Sequence, residues 1–210
     1  MTFNSDNDAD GTGDFTVSAN VTVSSNDETI LITADDIVLN ANTSLTSSTA
    51  AMNITDSTGP GIGLGGTSAD LVPFGLNING AELQRITAGE LTLTTTGLVL
   101  VDGVTAAQSS NTGGNLTLVA DDEITFENIT VPNSTFNTLI ALADNGITVE
   151  VDLTTVVGAI TLNADADSNG IGDLEIFDSR TVNSGGQAIN IIANDLDMNT
   201  SGAINSGAGL

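Results

Sequence analysis

The chain contains one block of sequence that occurs twice, with Asp165 in the second copy as the counterpart of Asp6 in the first. The acidic stretch DNDADGTGD (6–14) aligns with DADSNGIGD (165–173), and VTVSSNDETILITADDIVLN (21–40) aligns without a gap with RTVNSGGQAINIIANDLDMN (180–199). We call the constant shift from Asp6 to Asp165 the repeat offset. Repetition constrains the fold strongly, because a repeat unit must stack on its neighbours to bury its apolar side chains. We therefore treat residues 1–210 as one segment with internal repeats at 6–45 and 165–204, and we expect it to be a fragment of a larger repeat protein.

Short runs rich in Val, Ile, Leu and Thr follow one another along the whole chain. Examples are FTVSANVTV, ELTLTTTGLVLV, NLTLVA and GITVEV, in which apolar and polar residues alternate. Gly, Asn, Asp and Ser separate these runs, which is the pattern of short strands joined by turns. No stretch keeps a 3.6-residue apolar period, and we interpret GAELQRITAG (80–89) as a turn that enters a strand. The sequence predicts an all-β fold.

An aliphatic residue, any residue and then alanine recur along the chain with an acidic residue or Asn close behind. The motif ends at alanines that we expect to mark equivalent corners, with Ala143 as a looser case: Ala34, Ala88, Ala120, Ala164 and Ala193. The step from Ala34 to Ala88 is the longest, and we interpret it as two equal steps with an unmarked corner between them. Units of roughly 20–30 residues with two or three short strands suit one coil of a solenoid, in which each strand pairs with its equivalents above and below.

These observations predict a right-handed parallel β-helix, a solenoid, for residues 1–210. The alternative all-β fold is a β-sandwich or a series of Ig-like repeats. Such domains commonly keep a Trp or Tyr in the core and join strands by hairpins. The chain has no Trp and no Tyr, so we favour the β-helix.

The two acidic turns have the oxygen spacing of a calcium-binding loop. Oxygen-bearing side chains at positions 1, 3 and 5, a glycine at 6 and a backbone carbonyl at 7 wrap around a hard cation. The candidate ligands are Asp6, Asp8, Asp10, Thr12 and Asp14 in the first turn, and Asp165, Asp167, Asn169, Ile171 and Asp173 in the second. Position 12 is Val17 or Ile176, so the bidentate Glu of an EF-hand is missing. The alternative is an acidic turn without a metal.

The charge of the chain also favours calcium as the cofactor. There are 27 acidic residues against two arginines, with no lysine or histidine and a net charge of −25. Carboxylates about 5 Å apart repel by roughly 1 kcal/mol in water, so cations from solution are needed to relieve the repulsion. We expect no binding of nucleic acid, because its phosphates would be repelled. No apolar run approaches the roughly 18 residues of a transmembrane span, so we expect no membrane insertion.

The acidic DxDxDGxGD turns, GGNLTLVADDEITF (113–126) and ELQRITAGELTL (82–93) resemble the repeats of giant bacterial surface proteins of the filamentous-haemagglutinin type. The resemblance implies a right-handed parallel β-helix that projects from the cell and serves in adhesion or biofilm cohesion. It also implies an extracellular location at the bacterial cell surface. The implied partners are calcium ions, cell-surface or matrix glycans or proteins, and other copies of the chain.

We do not expect an enzyme, and we assign no catalytic residues. The absence of His and Cys excludes Ser-His-Asp and Cys-His catalysis and histidine-based zinc sites. Two alternative functions stay open. One is a β-helix polysaccharide lyase or hydrolase, which would use Arg85 or Arg180 as a base or a pair of carboxylates. The other is a calcium-dependent self-assembling sheath or filament subunit.

Overall fold

The computed structural model of the protein describes residues 1–66, 74–127, 129 and 132–207. Within these residues the chain forms 24 strands and two four-residue helices. The strands are short because Gly, Asn, Asp and Ser interrupt them, and their alternating sequences turn every second side chain into the interior. In Leu116–Ala120, for example, the first, third and fifth residues are buried. Neither helix has the length or the hydropathy to cross a membrane.

The elements follow the chain in eight successive sets, which we call layers 1 to 8. Layer 1 contains β1 (Thr2–Asn4), β2 (Phe15–Val17) and β3 (Thr22–Ser24). Layer 2 contains β4 (Ile30–Ala34), β5 (Ile37–Leu39) and β6 (Ser44–Thr46). Layer 3 contains β7 (Ala51–Asp56), β8 (Gly61–Gly65), β9 (Leu76–Ile78), α1 (Gly80–Leu83) and β10 (Ile86–Thr87). Layer 4 contains β11 (Glu90–Thr95), β12 (Leu98–Asp102) and α2 (Ala106–Ser109).

The second half of the chain repeats the three-strand layer. Layer 5 contains β13 (Leu116–Ala120), β14 (Ile124–Glu127) and β15 (Asn133–Phe136). Layer 6 contains β16 (Leu139–Ala143), β17 (Ile147–Val149) and β18 (Asp152–Thr155). Layer 7 contains β19 (Ile160–Asn163), β20 (Leu174–Ile176) and β21 (Thr181–Asn183). Layer 8 contains β22 (Ile189–Ile192), β23 (Leu196–Met198) and β24 (Ala203–Asn205).

Strands pair between layers and not within them. The first face is one eight-stranded sheet in the order β1-β4-β7-β11-β13-β16-β19-β22. The second face is the sheet β9-β8-β12-β14-β17-β20-β23 together with the pair β2-β5. The third face comprises β3-β6-β10 and β15-β18-β21-β24, with a parallel bridge from Ala88 to Thr112 in between.

All strand pairings among the described residues are parallel, so the predicted all-β class with long parallel sheets is confirmed. The antiparallel hairpins that a β-sandwich requires are not found in this part of the chain. Two parallel neighbours need a connection that brings the chain back to the start of the next strand. Here the strands of the second and third faces form that connection between successive strands of the first face. The order of the strands is therefore compatible with a β-helix.

Aliphatic side chains fill the space between the faces in rows that run from layer to layer. One row on the first face consists of residues paired in register, all at most 1% exposed: Ile32, Ile54, Leu93, Leu118, Ala141 and Leu162. Burial of each Ile or Leu side chain in this row contributes roughly 1.5–3 kcal/mol relative to exposure. The core is thus a continuous column, extended by each added layer.

The predicted alanine corner is correct for most layers and wrong for Ala88. Ala34, Ala120 and Ala143 end strands of the first face and are buried. Ala88 instead follows β10 on the third face, where it bridges to Thr112. Small side chains suit a corner where the chain turns closely. The two equal steps expected between Ala34 and Ala88 do not exist, because layer 3 is longer than its neighbours.

In layers 3 and 4 two buried polar residues take the position that an alanine occupies at the end of the first-face strand in layers 2, 5 and 6. Asp56 pairs in register with Ala34, and Thr95 with Ala120. The Thr95 hydroxyl donates a hydrogen bond to Asp56 Oδ2 at 2.8 Å, and the Gly61 N–H donates to the same oxygen at 3.2 Å. These bonds compensate the carboxylate for the water that it loses on burial.

Buried hydroxyl groups close the corner after the third face. In each case the hydroxyl donates to the backbone carbonyl three residues ahead, and the residues are Ser25, Ser47, Thr155 and Ser184. Such a local side-chain bond to the backbone fixes the turn that leads from the third face into the next layer. This corner therefore has its own sequence signature, a Ser or Thr at the end of the third-face strand.

Layer 3 contains an additional strand, β9, and a helix that the sequence interpretation missed. The period-2 run LNIN (76–79) predicts the strand, but not its place in the stack. The stretch 80–89 begins with α1 and only then enters β10, so a simple turn was wrong. Asn79 caps α1 by accepting hydrogen bonds from Ala81 N and Glu82 N, and Glu82 accepts one from Asn79 N. This is a capping box, whose N-x-x-E pattern is visible in the sequence.

The additional strand β9 pairs with β8 and lies towards layer 2. Asn77 in β9 donates its backbone N–H to Asp36 Oδ1 at 2.9 Å, just before β5. The second face therefore has one more strand than the first face between layers 2 and 4.

Candidate functional site

The first acidic turn follows β1 and folds around the carboxylate of Asp6. Asp6 Oδ1 accepts a hydrogen bond from the Asp10 N–H at 3.1 Å, and Oδ2 accepts one from the Gly11 N–H at 3.2 Å. Ala9 and Gly11 have positive φ angles of 52° and 79°. Glycine adopts this conformation without strain, which explains the glycine at position 6 of the turn.

Three carboxylates converge in this turn. Asp6, Asp8 and Asp10 each offer one oxygen, and these oxygens lie within 4.8 Å of one another. Asp6 is buried, whereas Asp8 and Asp10 are exposed. A hard divalent cation prefers oxygen ligands of this kind, so these residues fit calcium in chemistry and in proximity.

Asp6 is fixed from layer 3 as well as from its own turn. The Ser57 hydroxyl, directly after β7, donates to Asp6 Oδ2 at 2.6 Å. This hydrogen bond is the main cause of the lowered pKa of Asp6, and the N–H groups of Asp10 and Gly11 lower the pKa further against the opposing effect of burial. Asp6 thus remains ionised below the ordinary range of aspartate.

The structure brings together three of the four predicted carboxylates of the first turn. The exposed Thr12 donates its hydroxyl to Asp10 Oδ1 at 2.5 Å. Asp14 lies outside the group of three converging carboxylates. Its charge instead adds to the raised pKa of Asp36, whose main cause is burial. The carboxylate group is therefore smaller than the spacing predicts.

The second acidic turn has the same local geometry. Asp165 Oδ1 accepts from the Asn169 N–H at 2.9 Å, and Oδ2 accepts from the Gly170 N–H at 3.2 Å. Ser168 and Gly170 have φ angles of 59° and 81°, close to those of Ala9 and Gly11. The two turns therefore share one backbone conformation, with an Asp at position 1 and a glycine at position 6 in each.

The second turn differs in what its side chains do. The Asn169 amide Nδ2 donates to Asp167 Oδ2 at 2.7 Å, and its Oδ1 accepts from the Ile171 N–H at 2.7 Å. Asp173 Oδ1 accepts from Asn194 in layer 8 at 3.1 Å. Ile171 itself is 60% exposed. Among the described residues the second turn does not contribute a group of three converging carboxylates.

The second turn lies against the corner of layer 6. The Ala166 N–H donates to the Ala143 carbonyl at 2.9 Å. The pKa of the neighbouring Asp144 is raised, first by burial and then by the charges of Asp167, Asp121 and Asp165. This corner therefore concentrates negative charge from three successive layers.

Ser57 and Asp144 are the residues of these sites that sequence reasoning missed. Ser57 lies 51 residues after Asp6. It meets Asp6 only because the layers stack. No local motif identifies such a contact. A register alignment of all eight layers would have found it.

A row of three acidic side chains crosses the second face away from the turns. Asp102 and Glu127 pair in register, and Glu150 follows β17 in the next layer. Burial raises the pKa of Glu127, and the charges of Glu150 and Asp102 raise it further.

Arg85 lies elsewhere, in layer 3, where its Nη1 donates a hydrogen bond to the Leu39 carbonyl at 2.6 Å. In the described part of the chain no pocket is found.

The fold and the site define a class: an all-β protein of long parallel sheets that carries an acidic turn suited to a hard cation. Comparison with protein-family models, with curated proteins and with solved structures gave no match. The function is therefore argued from the geometry of the chain itself.

Proposed function

We propose that the chain is a segment of a right-handed parallel β-helix rod in a large exported bacterial surface protein. Its role is structural and adhesive, as a stiff spacer at the cell surface, and calcium bound at the acidic turns stiffens it. One observation carries the proposal. Layers 7 and 8 repeat the strand pairings of layers 1 and 2, shifted by the same repeat offset as the sequence.

The repetition holds on all three faces. On the first face, Thr2 pairs with Leu31 and Thr161 with Asn190. On the second face, Phe15 pairs with Ile37 and Leu174 with Leu196. On the third face, Thr22 pairs with Ser44 and Thr181 with Ala203. A structure that returns to the same layer geometry after one repeat offset is suited to growth by repetition, as in a rod.

The first acidic turn is the place where calcium would bind. Three carboxylates within 4.8 Å of one another repel, in a chain with two basic side chains. A divalent cation would replace that repulsion by attraction and would tie layer 1 to layer 3 through Asp6 and Ser57. Ligand that binds only the folded state stabilises it by an amount that grows with concentration over Kd.

The rod is tested with pairs of spin labels on the first face. The chain has no cysteine, so labels can be placed at Thr33 with Asn163 and at Thr33 with Ile192. The three residues share one outward row, with five and six layer steps between the labels. At about 4.8 Å per step we expect separations near 24 and 29 Å by pulsed electron paramagnetic resonance. Separations that do not grow with layer number would exclude the rod.

Calcium binding is tested by thermal unfolding in CaCl₂ and in EDTA. We expect Tm to rise with calcium and the rise to saturate, because binding adds only to the folded state. MgCl₂ is the control, because it screens charge as CaCl₂ does. Magnesium keeps its waters and its near-ideal octahedral geometry, so it should not replace calcium among the carboxylates of the turn. Identical transitions in calcium and EDTA would remove calcium from the proposal.

Adhesion is tested separately from shape. Beads coated with the chain are passed over surfaces bearing bacterial glycans or matrix proteins, in calcium and in EDTA. We expect calcium-dependent retention if the segment binds directly. Retention equal to that of uncoated beads, with the spin-label distances intact, restricts the role to that of a spacer.

A second candidate function rests on the acidic row of the second face. Glu127, with its raised pKa, and Glu150 lie in neighbouring layers about one strand spacing apart, so they form a pair of carboxyl groups of the kind that glycosidases use. This arrangement favours a carbohydrate-active enzyme as the alternative. Turnover of acidic or neutral polysaccharides that is lost in Glu127→Gln and kept in Glu28→Gln would establish it. Absence of turnover in the parent chain would exclude it for the substrates tried.

A further inference from the structure

Three asparagines in the chain are followed directly by glycine: Asn79, Asn145 and Asn169. At such a pair the backbone nitrogen of the glycine can attack the side-chain carbonyl carbon of the asparagine, because the glycine carries no Cβ that would obstruct the approach. The product is a five-membered succinimide ring, and water opens this ring to leave a carboxylate in place of the amide. The chain therefore has three places of this kind at which an amide can become an acid.

The surroundings of the three pairs differ, and the third pair is the most open. Asn169 and Gly170 are both exposed, whereas Gly80 and Gly146 are buried. A Cβ on Gly170 would have no other atom within 4 Å, whereas a Cβ on Gly80 would collide with the Gln108 side chain. Ring closure and the entry of water therefore meet the least obstruction at Asn169.

The attacking nitrogen of the third pair faces a carboxylate. The Gly170 N–H donates a hydrogen bond to Asp165 Oδ2 at 3.2 Å. A carboxylate within hydrogen-bond reach of the proton to be removed can accept that proton as the nitrogen attacks, which is the role of a general base. Asp165 is thus placed to assist the first step at Asn169.

The Asn169 side chain is held in one orientation over this nitrogen. Its Oδ1 accepts a hydrogen bond from the Ile171 N–H at 2.7 Å, and its Nδ2 donates to Asp167 Oδ2 at 2.7 Å. A backbone N–H only donates and an ionised carboxylate only accepts, so the two amide atoms are assigned without ambiguity. The bond to Ile171 folds the side chain back over the intervening Gly170.

The same bond also stabilises the charge that the attack creates. When the nitrogen adds to the carbonyl carbon of Asn169, negative charge develops on Oδ1. The Ile171 N–H already points at this oxygen, and a donor that is in place before the reaction stabilises such charge without reorganisation. The turn therefore offers a base for the nucleophile and a donor for the oxyanion.

We propose that Asn169 is a site of self-modification, at which the folded turn converts the asparagine to aspartate. The Gly170 nitrogen bonds to the Asn169 side-chain carbon and gives its proton to Asp165. The bond from that carbon to Nδ2 breaks, and the nitrogen takes up the proton and leaves as ammonia. Water then adds to the side-chain carbonyl of the ring and restores the main chain. Nothing is oxidised or reduced.

The conversion gives the second turn the acidic pattern of the first. With aspartate at its fifth position the second turn reads DADSDGIGD, beside DNDADGTGD in the first. The amide that donates to Asp167 is then replaced by a third carboxylate, as Asp10 is in the turn where three carboxylate oxygens lie within 4.8 Å of one another. A second calcium turn would follow. This consequence rests on the function proposed above, whereas the modification itself does not.

The test is peptide mass mapping of the full chain after prolonged incubation at neutral pH. Conversion replaces an amino group by a hydroxyl, so the mass of the peptide increases, and chromatography separates aspartate from its isomer isoaspartate. We expect Asn169 to convert at least severalfold faster than Asn79 and Asn145. The same chain in urea is the reference, because there the three pairs should react at similar rates. Conversion of Asn169 that is no faster than at the other two pairs, or is slower than in urea, overturns the proposal.

Two variants test the part of Asp165. Asp165→Asn removes the acceptor of the Gly170 N–H and should slow the conversion of Asn169 severalfold. Asp173→Asn is the matched control, because it removes the same charge from the same turn. Its carboxylate accepts from Asn194 instead, so the rate should equal that of the parent. Asp165→Glu keeps a carboxylate and should recover part of the rate. Equal rates in all three variants overturn the role of Asp165 as a base.

Calcium titration of fresh and incubated chain separates this inference from the proposed function. We expect the incubated chain to gain a second binding event, which Asn169→Asp should show without incubation. Preferential conversion of Asn169 with no calcium binding in any sample confirms the modification and removes calcium from the proposed function. A second event in Asn169→Asp but not in the incubated chain means that isoaspartate is the product, which overturns the conversion to aspartate.

Discussion

Asp10 and Asn169 occupy the same position of the two acidic turns and differ by one atom, an oxygen in place of an amide nitrogen. The Asn169 amide closes its own turn by donating to Asp167 Oδ2. Asp10 has no hydrogen to donate when ionised and instead adds a third negative charge beside Asp6 and Asp8. The second turn thus has an additional side-chain bond, and the first has a third carboxylate in its place, which is where we propose that calcium binds.

Exchanging these two residues should exchange the calcium responses of the turns. We expect Asp10→Asn to raise Tm in EDTA, because one repulsive charge is lost, and to reduce the rise of Tm with calcium. We expect Asn169→Asp to do the reverse at the second turn. Calorimetric titration of both variants measures the change. Glu28→Gln, an exposed position outside the turns, is the control for net charge, and a calcium response that is equal in all variants would contradict the assignment.

The buried pair of Asp56 and Thr95 predicts a local loss of stability. Thr95→Ala leaves Asp56 Oδ2 without its hydroxyl donor in a buried row, which should cost about 1.5–3 kcal/mol because the lost bond is to a charged group. Thr94→Ala, one residue away on the outward side, should change the unfolding free energy by less than about 0.5 kcal/mol. Urea unfolding of both variants measures the difference. Equal effects would mean that the hydroxyl contributes nothing specific.

At the scale of elements, the sequence predicts most strands and the parallel pairing, because period-2 runs and alanine corners are local signals. It does not predict where β9 joins the stack or the place of Ala88. Both depend on how far layer 3 extends before it rejoins the stack, and spacing along the chain does not carry that information. The polar pair that replaces alanine in two layers is hidden for the same reason, since Asp56 and Thr95 are neighbours only across layers.

The same limit applies to the candidate site. The local geometry of both acidic turns follows from the Asp and Gly positions, so the turns themselves were predictable. The hydrogen bond of Ser57 to Asp6 was not, because it requires the register of layers 1 to 3. The difference between the turns was visible as Asp10 against Asn169, but its consequence depends on a side-chain bond within the turn.

Layer position should decide the cost of truncating an interior side chain. Leu93 in layer 4 is fully buried between two layers, so Leu93→Ala should cost about 2–5 kcal/mol. Ile191 occupies the same row in layer 8 and is only partly buried, so Ile191→Ala should cost about 1 kcal/mol. Urea unfolding at low protein concentration compares them. Equal costs would show that layer 8 is as well covered as the interior.

At the scale of the whole molecule, the acidic residues make stability depend on pH. The pKa values of Asp36, Glu82, Glu127 and Asp144 are raised, in each case mainly by burial. These groups bind protons more tightly in the folded chain, so they destabilise it as the pH rises from the ordinary values of 3.8 and 4.5 through the raised ones. Asp6, with its lowered pKa, acts in the opposite direction below pH 3.8.

The expected result is a Tm in EDTA that falls as the pH rises above the ordinary values of 3.8 and 4.5, because the four raised groups then lose protons that the folded chain binds more tightly, whereas Asp6 acts only below pH 3.8. Calcium requires ionised ligands, and the lowered pKa of Asp6 keeps this ligand ionised below the ordinary range of aspartate, so the calcium increment in Tm should persist at pH 5. Scanning calorimetry from pH 4 to 8, with and without calcium, measures both. A Tm in EDTA that rises steadily up to pH 8 would contradict the sign.

The additional strand β9 gives the second face one more member than the first face between layers 2 and 4. At about 4.8 Å per strand, the second face is therefore longer than the first face over these layers. Because the second face is longer there, the axis of the stack must bend towards the first and third faces at layer 3. An array of such units would accumulate the lean at every repeat and would trace an arc or a shallow spiral instead of a straight column.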